Sequence, residues 1–147
     1  ETDVWLELTT LLIPGKNDSR QELEALCQWV MDRLGPDVPL HFTAFHPDWK
    51  MRDVERTPAT TLQMARSIAR EAGIHHAYMG NVHDAVGNST FCHNCDTRLI
   101  ERDWHEMGEW NLQSGKCPEC STPLAGVFED LPGNWGSQRR RVKFVNK

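Results

Sequence analysis

Two cysteine pairs decide the fold of the second half of the chain: Cys92-His93-Asn94-Cys95 and Cys117-Pro118-Glu119-Cys120, with residues 96 to 116 between them. A two-residue gap lets both thiolates of a tight turn face one ion, and two such turns complete a tetrahedral shell. The alternative, a disulfide within either pair, would be strained. The spacing therefore predicts a four-cysteine metal site at Cys92, Cys95, Cys117 and Cys120. Zn²⁺ is the favoured ion and iron the alternative, and because no coordination position stays open, the predicted role is structural.

The length of the chain suits one ordinary domain with a small metal-stabilised module, and its net charge bears on the partners it could bind. The chain has 147 residues and a net charge of −5. A module below about 40 residues needs a metal to offset its thin core. The negative charge gives no overall signature of nucleic-acid binding. We interpret the one dense basic run, residues 139–141 with Lys143, as a solvated tail.

Cysteine usage and the first residues favour a cytoplasmic protein. Five cysteines, an odd number, fit a reducing compartment. Cys27 falls in a helical apolar pattern and is predicted to be a core residue. No apolar stretch approaches the roughly 18 residues that cross a bilayer, and Glu1-Thr2-Asp3 does not begin a signal peptide. Since the first residue is not Met, we expect a trimmed or truncated product.

Strand and helix patterns alternate in the first half of the chain. β-branched and large apolar residues predict strands at residues 4–13, 40–45 and 76–79. Between them, Ser19 and Glu22 form a capping box that begins a helix ending at Gly35. Thr57 and Pro58 look like the N-cap and first position of a second helix. The order β-α-β-α-β predicts an α/β fold with a parallel sheet.

Three polar or Gly/Pro-containing loops follow these strands, at residues 14–18, 46–51 and 80–84. In parallel sheets, ligands meet the loops beyond the carboxyl ends of the strands. We therefore expect the functional edge of the sheet there. Three strands alone leave an exposed edge, so partner strands are expected on another chain segment.

These strand-end sequences resemble a known enzyme family. The resemblance rests first on Thr9-Thr10-Leu11-Leu12-Ile13-Pro14-Gly15-Lys16-Asn17-Asp18 and on His41-Phe42-Thr43-Ala44-Phe45-His46-Pro47. Both stretches look like the last strands of radical S-adenosylmethionine enzymes of the pyruvate formate-lyase activating-enzyme type. More narrowly, the chain is similar to the radical S-adenosylmethionine enzyme of the AmmeMemoRadiSam system. That similarity rests on Gly80-Asn81-Val82-His83-Asp84, the paired-CxxC extension and Pro132-Gly133-Asn134-Trp135-Gly136.

The resemblance implies a fragment of a partial (β/α) barrel followed by a four-cysteine module like a zinc ribbon. Members of that family hold a [4Fe-4S] cluster through a CxxxCxxC motif near the start of the barrel, and this chain contains no such motif. The implied function is that of a C-terminal part, inactive alone, that completes a pocket for S-adenosylmethionine and substrate. Its implied partner is the N-terminal half of the same barrel or a protein substrate.

The resemblance also assigns one cofactor contact. His46, in its Phe-His-Pro context, matches the family's histidine that contacts S-adenosylmethionine. A histidine that caps a loop by hydrogen bonds is the alternative. Thr9 stands where the family often has an arginine, so the resemblance does not carry that second cofactor contact over to this chain.

Other candidates each have a structural alternative. His83 and Asp84 follow the third strand and could transfer protons or bind substrate, or form a turn. His93 and His105 lie within the ribbon and could replace a cysteine as ligand, although four thiolates already suffice.

Three units are predicted: residues 1–87 as the barrel portion, 88–130 as the four-cysteine module and 131–147 as a tail. Trp104 and Trp110 are expected to form the small core of the module. Two alternative functions remain open. One is a zinc-ribbon module that binds a protein or, less expected, a nucleic acid; the other is a rubredoxin-like iron site for electron transfer.

Overall fold

The computed structural model describes residues 4–133, which form two three-stranded sheets. The first sheet is parallel, with neighbouring strands β1 (Leu8–Leu12), β2 (Leu40–Ala44) and β3 (Ala77–Gly80). Helices α1 (Arg20–Leu34) and α2 (Ala59–Glu71) connect these strands. A single turn, α3 (Ala85–Asn88), leads to the antiparallel strands β4 (Thr90–Phe91), β5 (Arg98–Asp103) and β6 (Glu106–Trp110). The predicted mixed α/β class is confirmed.

Helix α1 begins and ends where local chemistry sets its limits. Ser19 is the N-cap, and its hydroxyl both accepts from the Glu22 N–H and donates to the Glu22 carboxylate. Gly35 ends the helix at φ 83°, a left-handed value that costs glycine little, and its N–H donates to the Val30 carbonyl. The predicted capping pair and stop residue are therefore both present, although Glu22 bonds the Ser19 hydroxyl and not the Ser19 N–H that a complete capping box uses.

The two faces of the parallel sheet differ in chemistry. One face packs against α1 and α2 in a single apolar core, with Leu12, Phe42 and Met79 from the three strands. We call the opposite side the open face. By register it carries every second residue of each strand: Thr9, Leu11, His41, Thr43, Tyr78 and Gly80.

A cavity of about 490 Å³ lies between the open face and the second sheet. His41, Thr43 and Tyr78 line it from the parallel sheet, while Arg102 and Trp104 line it from β5 and the turn after it. The two sheets thus meet across a partly filled space rather than a packed apolar interface.

The bounds of strands β1 and β3 differ from the sequence prediction, and pairing explains the difference. Strand β1 was expected from residue 4 but begins at Leu8, whose N–H donates to the Pro39 carbonyl immediately before β2. Before Leu8 the neighbouring strand offers no further ladder partner. Strand β3 spans Ala77–Gly80 instead of residues 76–79. His76 precedes it and gives its carbonyl to the Leu40 N–H.

Thr57 does not cap α2, contrary to the sequence prediction. The N-cap is Pro58, and the helix begins at Ala59. The Thr57 hydroxyl instead donates to the Leu12 carbonyl and accepts from the Phe45 N–H, so it ties the ends of β1 and β2 together. Thr57 is buried, and this tertiary use of its hydroxyl replaces the local one.

Replacing Thr57 with valine is expected to lower the free energy of unfolding by about 1–3 kcal/mol. The isosteric side chain keeps the volume but removes the hydroxyl that bonds the Leu12 carbonyl and the Phe45 N–H, which then keep only their direct hydrogen bond of 3.3 Å. We call the parallel sheet with α1 and α2 the first module, since they share one core. Urea unfolding followed by the helical circular dichroism signal measures this change, because both long helices belong to that module. Thr60→Val, at an exposed position of α2, is the control. Equal shifts for the two variants would contradict the assignment.

Among residues 4–133, no helix has both the length and the apolar composition that a membrane span requires. Several sequence predictions lie outside the described residues. These are the basic run at 139–141 with Lys143, the Asn134-Trp135-Gly136 end of the final motif, and most of the predicted tail.

Candidate metal centre

Four cysteine sulfurs converge at one end of the second sheet. The Sγ atoms of Cys92, Cys95, Cys117 and Cys120 all lie within 4.8 Å of one another. Two short contacts join the pairs crosswise: Cys92 Sγ to Cys120 Sγ and Cys95 Sγ to Cys117 Sγ, each at 3.5 Å. These separations are far beyond a disulfide bond of about 2.05 Å, and all five cysteines are free thiols. The structure therefore brings the four predicted ligands together.

The sulfur arrangement fits a tetrahedral ion. A Zn–S distance of about 2.3 Å in a regular tetrahedron separates the sulfurs by about 3.8 Å, which is close to the two separations of 3.5 Å and within the 4.8 Å that spans the group. Cys92 and Cys117 are buried in the core of the module, Cys120 is half-buried against it, and Cys95 is exposed. This four-cysteine group could bind a metal ion such as zinc or iron.

Both cysteine turns are built in the same way. In the first, Asp96 N–H donates to the Cys92 carbonyl and Cys92 N–H donates to the Thr97 carbonyl, each at 2.9 Å. In the second, Ser121 N–H donates to the Cys117 carbonyl and Cys117 N–H donates to the Thr122 carbonyl, also at 2.9 Å each. Asp96 and Ser121 have φ values of 61° and 60°. The left-handed residue after each pair reverses the chain and lets both thiols of the pair face the same point.

Two threonines at the centre were missed by the sequence prediction. The Thr97 hydroxyl lies 3.2 Å from the Cys95 Sγ, and the Thr122 hydroxyl lies 3.2 Å from the Cys120 Sγ. A hydroxyl can donate to a thiolate and stabilise its charge. The signal was present in the sequence as the repeated pattern Cys-x-x-Cys-x-Thr, which extends each pair by two residues.

Burial and hydrogen bonding act on the thiols in opposite directions. Burial raises the pKa of Cys92 to about 11. The Thr122 hydroxyl and N–H lower the pKa of Cys120 to about 5. Metal binding requires thiolates, and a bound cation lowers the pKa of its ligands further. Cys27, away from the centre, is buried in the core of the first module as predicted, and burial raises its pKa to about 11.

The small core beneath the metal centre contains one of the two predicted tryptophans. Trp110 packs with Leu99, Ile100 and Leu112 around the buried cysteines. Trp104 does not, because it sits at the turn between β5 and β6 with 47% of its surface exposed. Its ring stacks on His83 with centroids 5.3 Å apart. The prediction that Trp104 is a core residue is therefore wrong.

Neither ribbon histidine belongs to the four-residue metal group found in the described part of the chain. His93 is exposed and stacks on His75, with ring centroids 3.8 Å apart. His105 is also exposed and contributes to the cavity lining. Four sulfurs fill the site, and the two imidazoles lie outside it.

The parallel strands carry the other candidates to one edge of the sheet. Arg56 donates to the Asn81 carbonyl and Asn81 donates to the Ala44 carbonyl, which joins the loops after β2 and β3. His46 lies in the exposed segment after β2, and its contact with S-adenosylmethionine stays a prediction.

His83 and Asp84 are adjacent in sequence but have different partners. The His83 Nδ1 lies 3.1 Å from an Asp103 carboxylate oxygen, and the side chain is 78% exposed. Asp84 is the N-cap of α3 and accepts from the N–H groups of Gly87 and Val86. The hydrogen bond from Gly87 is the main reason that the pKa of Asp84 lies below its usual value. Asp84 thus has the structural role that was the alternative, and catalysis by the pair stays a prediction.

One curated relative aligns with most of the chain. It is the uncharacterized protein MJ0808 of Methanocaldococcus jannaschii, 46% identical over 123 residues. The match covers 82% of this chain but 37% of the relative, so the chain spans little more than a third of that protein. No protein-family model matches the sequence, and no solved structure matches it significantly.

Proposed function

We propose that this chain is the C-terminal part of a radical S-adenosylmethionine enzyme of the AmmeMemoRadiSam type. Its three parallel strands complete a partial (β/α) barrel, its strand-end loops complete the cofactor and substrate pocket, and a structural zinc ion holds the ribbon. The chain would be inactive alone, because the CxxxCxxC motif that holds the cluster is not in its sequence.

The observation that carries the proposal is the difference between the faces of the parallel sheet. In (β/α) barrels, consecutive strands are neighbours and all helices lie on the outer side. Here the strand order is β1-β2-β3, and both connecting helices share one core on one face. Parallel sheets are normally covered by apolar layers on both faces. The open face instead carries His41, Thr43 and Tyr78 around a cavity, which supports an inner barrel wall.

The length of the relative supports the same arrangement. Most of its sequence, 63%, lies outside the match. A partial barrel needs strands before β1, and that unmatched length is enough to supply them. The free edges of β1 and β3 offer the pairing sites that such strands would use.

The coding sequence upstream of Glu1 tests the proposal directly. We expect it to continue the reading frame and to encode a CxxxCxxC motif within a β/α pattern. The corresponding longer protein, reconstituted anaerobically with iron and sulfide, is expected to convert S-adenosylmethionine to methionine and 5′-deoxyadenosine when a reductant is supplied. A start codon immediately before Glu1, or a longer protein without a cluster, would contradict it.

In that longer protein, His46→Gln is expected to weaken S-adenosylmethionine binding about tenfold, the equivalent of one lost hydrogen bond of about 1.4 kcal/mol. Equilibrium dialysis with labelled cofactor measures the Kd. His75→Gln is the matched control, because His75 pairs with Asp37 at the opposite, amino end of the sheet. If His46→Gln and His75→Gln bound S-adenosylmethionine with equal Kd, His46 would not contact the cofactor. That outcome would not affect the test for the iron–sulfur cluster.

A further inference from the structure

The cavity behind the open face has walls from both modules. The parallel sheet supplies one wall, and the turn after β5 with the segment at residues 124–128 supplies the other. At about 490 Å³ it falls in the size range of small-molecule sites. None of the four cysteines lines it, so it is a site separate from the metal centre.

Aromatic side chains form one part of this lining. Four come from residues far apart in the chain: Trp5, Tyr78, Trp104 and Phe128. His41 adds an imidazole whose centroid lies 5.1 Å from that of Tyr78. Flat apolar surfaces that face a shared space favour a ligand that is itself planar and aromatic, because stacking adds to apolar burial.

The two charged residues that line the cavity differ in their hydrogen-bond and ion-pair partners. Glu7 and Arg102 are its two residues of fixed charge. Glu7 is satisfied, since one carboxylate oxygen lies 2.9 Å from the His41 Nε2. Arg102 donates only to the neutral Thr90 hydroxyl and lies over the Tyr78 ring, and within the described residues it forms no ion pair. A half-buried guanidinium without a carboxylate gains most from an anionic partner, which it can hold by two parallel hydrogen bonds.

A buried histidine also lacks a partner at this cavity. His76 lines it with only 4% of its surface exposed, and its Nε2 has no hydrogen-bond partner among the described residues. Burial is the main reason that the pKa of His76 falls to about 4, so the ring is neutral at pH 7. An uncharged ring leaves Arg102 as the cation that selects the ligand.

We infer that the cavity binds a planar aromatic molecule carrying one carboxylate or phosphate group. The ring lies against the aromatic wall, and the anionic group pairs with the Arg102 guanidinium. Since β5 continues directly from the first cysteine turn to Arg102, the ribbon supplies the anion-selecting group of the site. The inference rests on the described residues and does not require the radical chemistry proposed above.

Three naphthalene probes of nearly equal ring surface test the inference on the metal-loaded 147-residue chain. They are 1-naphthyl phosphate, 1-naphthoate and neutral 1-naphthol, titrated by isothermal calorimetry. We expect saturable binding of at least one anion, at least tenfold tighter than binding of 1-naphthol. Comparison of the phosphate and carboxylate arms identifies which anion the site prefers.

Arg102→Met is expected to weaken binding of the preferred anion at least tenfold and to leave binding of 1-naphthol nearly unchanged. Arg33→Met is the charge-matched control, because Arg33 is exposed on α1 and does not line the cavity. Trp104→Ala, at the exposed turn, provides a second variant that does not disturb the core and is expected to weaken all three probes. The inference would be overturned if no probe bound saturably at millimolar concentration, or if the anions and 1-naphthol bound with equal affinity. It would also be overturned if Arg102→Met and Arg33→Met had equal effects on binding.

Discussion

Replacing Cys117 with serine is expected to release the metal and unfold the ribbon while the parallel sheet and its helices stay folded. Structural zinc contributes about 10–16 kcal/mol to the folding of small modules, and serine is a poor substitute for a thiolate ligand. The apolar core beneath the metal is small, so it cannot compensate for that loss. The first module has its own core, built from α1, α2 and all three parallel strands.

Metal analysis and limited proteolysis together measure this outcome. Wild-type protein is expected to be colourless with one zinc per chain, whereas a red protein with a reversible one-electron couple would favour the electron-transfer alternative. In Cys117→Ser, new cleavage sites are expected within residues 90–128 and not within α1 or α2. Cys27→Ala is the control, because it removes a buried thiol far from the centre and should retain the zinc. Retained metal, or unchanged protease resistance of residues 90–128, would contradict the structural role.

Replacing Phe42 with alanine is expected to lower the free energy of unfolding of the first module by about 3–5 kcal/mol. Phe42 lies at the centre of the middle strand, is fully buried, and contacts the core shared by both helices. Loss of its ring leaves a cavity that the surrounding helices can close only in part. Because a domain of this size is stable by about 5–15 kcal/mol, the variant approaches the limit of folding.

Urea unfolding at fixed zinc concentration, followed by the helical signal, tests that expectation. Leu11→Ala is the matched control, since Leu11 occupies the neighbouring strand on the open face and is 44% exposed. Its loss should cost less than about 1 kcal/mol. A midpoint shift for Phe42→Ala no larger than that for Leu11→Ala would show that this core contributes little to stability.

Features set by local chemistry were predictable from the sequence. The Ser19 capping box and the Gly35 stop depend on contacts within a few residues of themselves. The four-cysteine group was equally readable, because two short gaps specify two tight turns whatever lies between them. The alternation of apolar patterns predicted the β-α-β-α-β order for the same reason.

Features set by distant contacts were not predictable. Thr57 matches a helix cap locally, but its hydroxyl is used by two strands that the sequence does not place beside it. Trp104 is a large aromatic residue of the kind found in cores, but it lies at the turn of the β5–β6 hairpin, beyond the core, where its ring stacks on His83. The cavity joins residues from Trp5 to Phe128 and exists only after both sheets have packed.

Strand β5 connects two sites with different demands. It leaves the first cysteine turn at Thr97, contributes Leu99 and Ile100 to the small core, and reaches the cavity at Arg102. The adjacent Leu99 and Ile100 both enter that core, and the pairing of β5 with β6 is irregular between Ile100 and Arg102. A residue added or deleted in this segment would move Arg102 along the strand and change the face toward which it points. The length of the segment from Cys95 to Arg102 therefore couples the two sites, because a change in it would disturb the cysteine turn, the small core or the cavity wall.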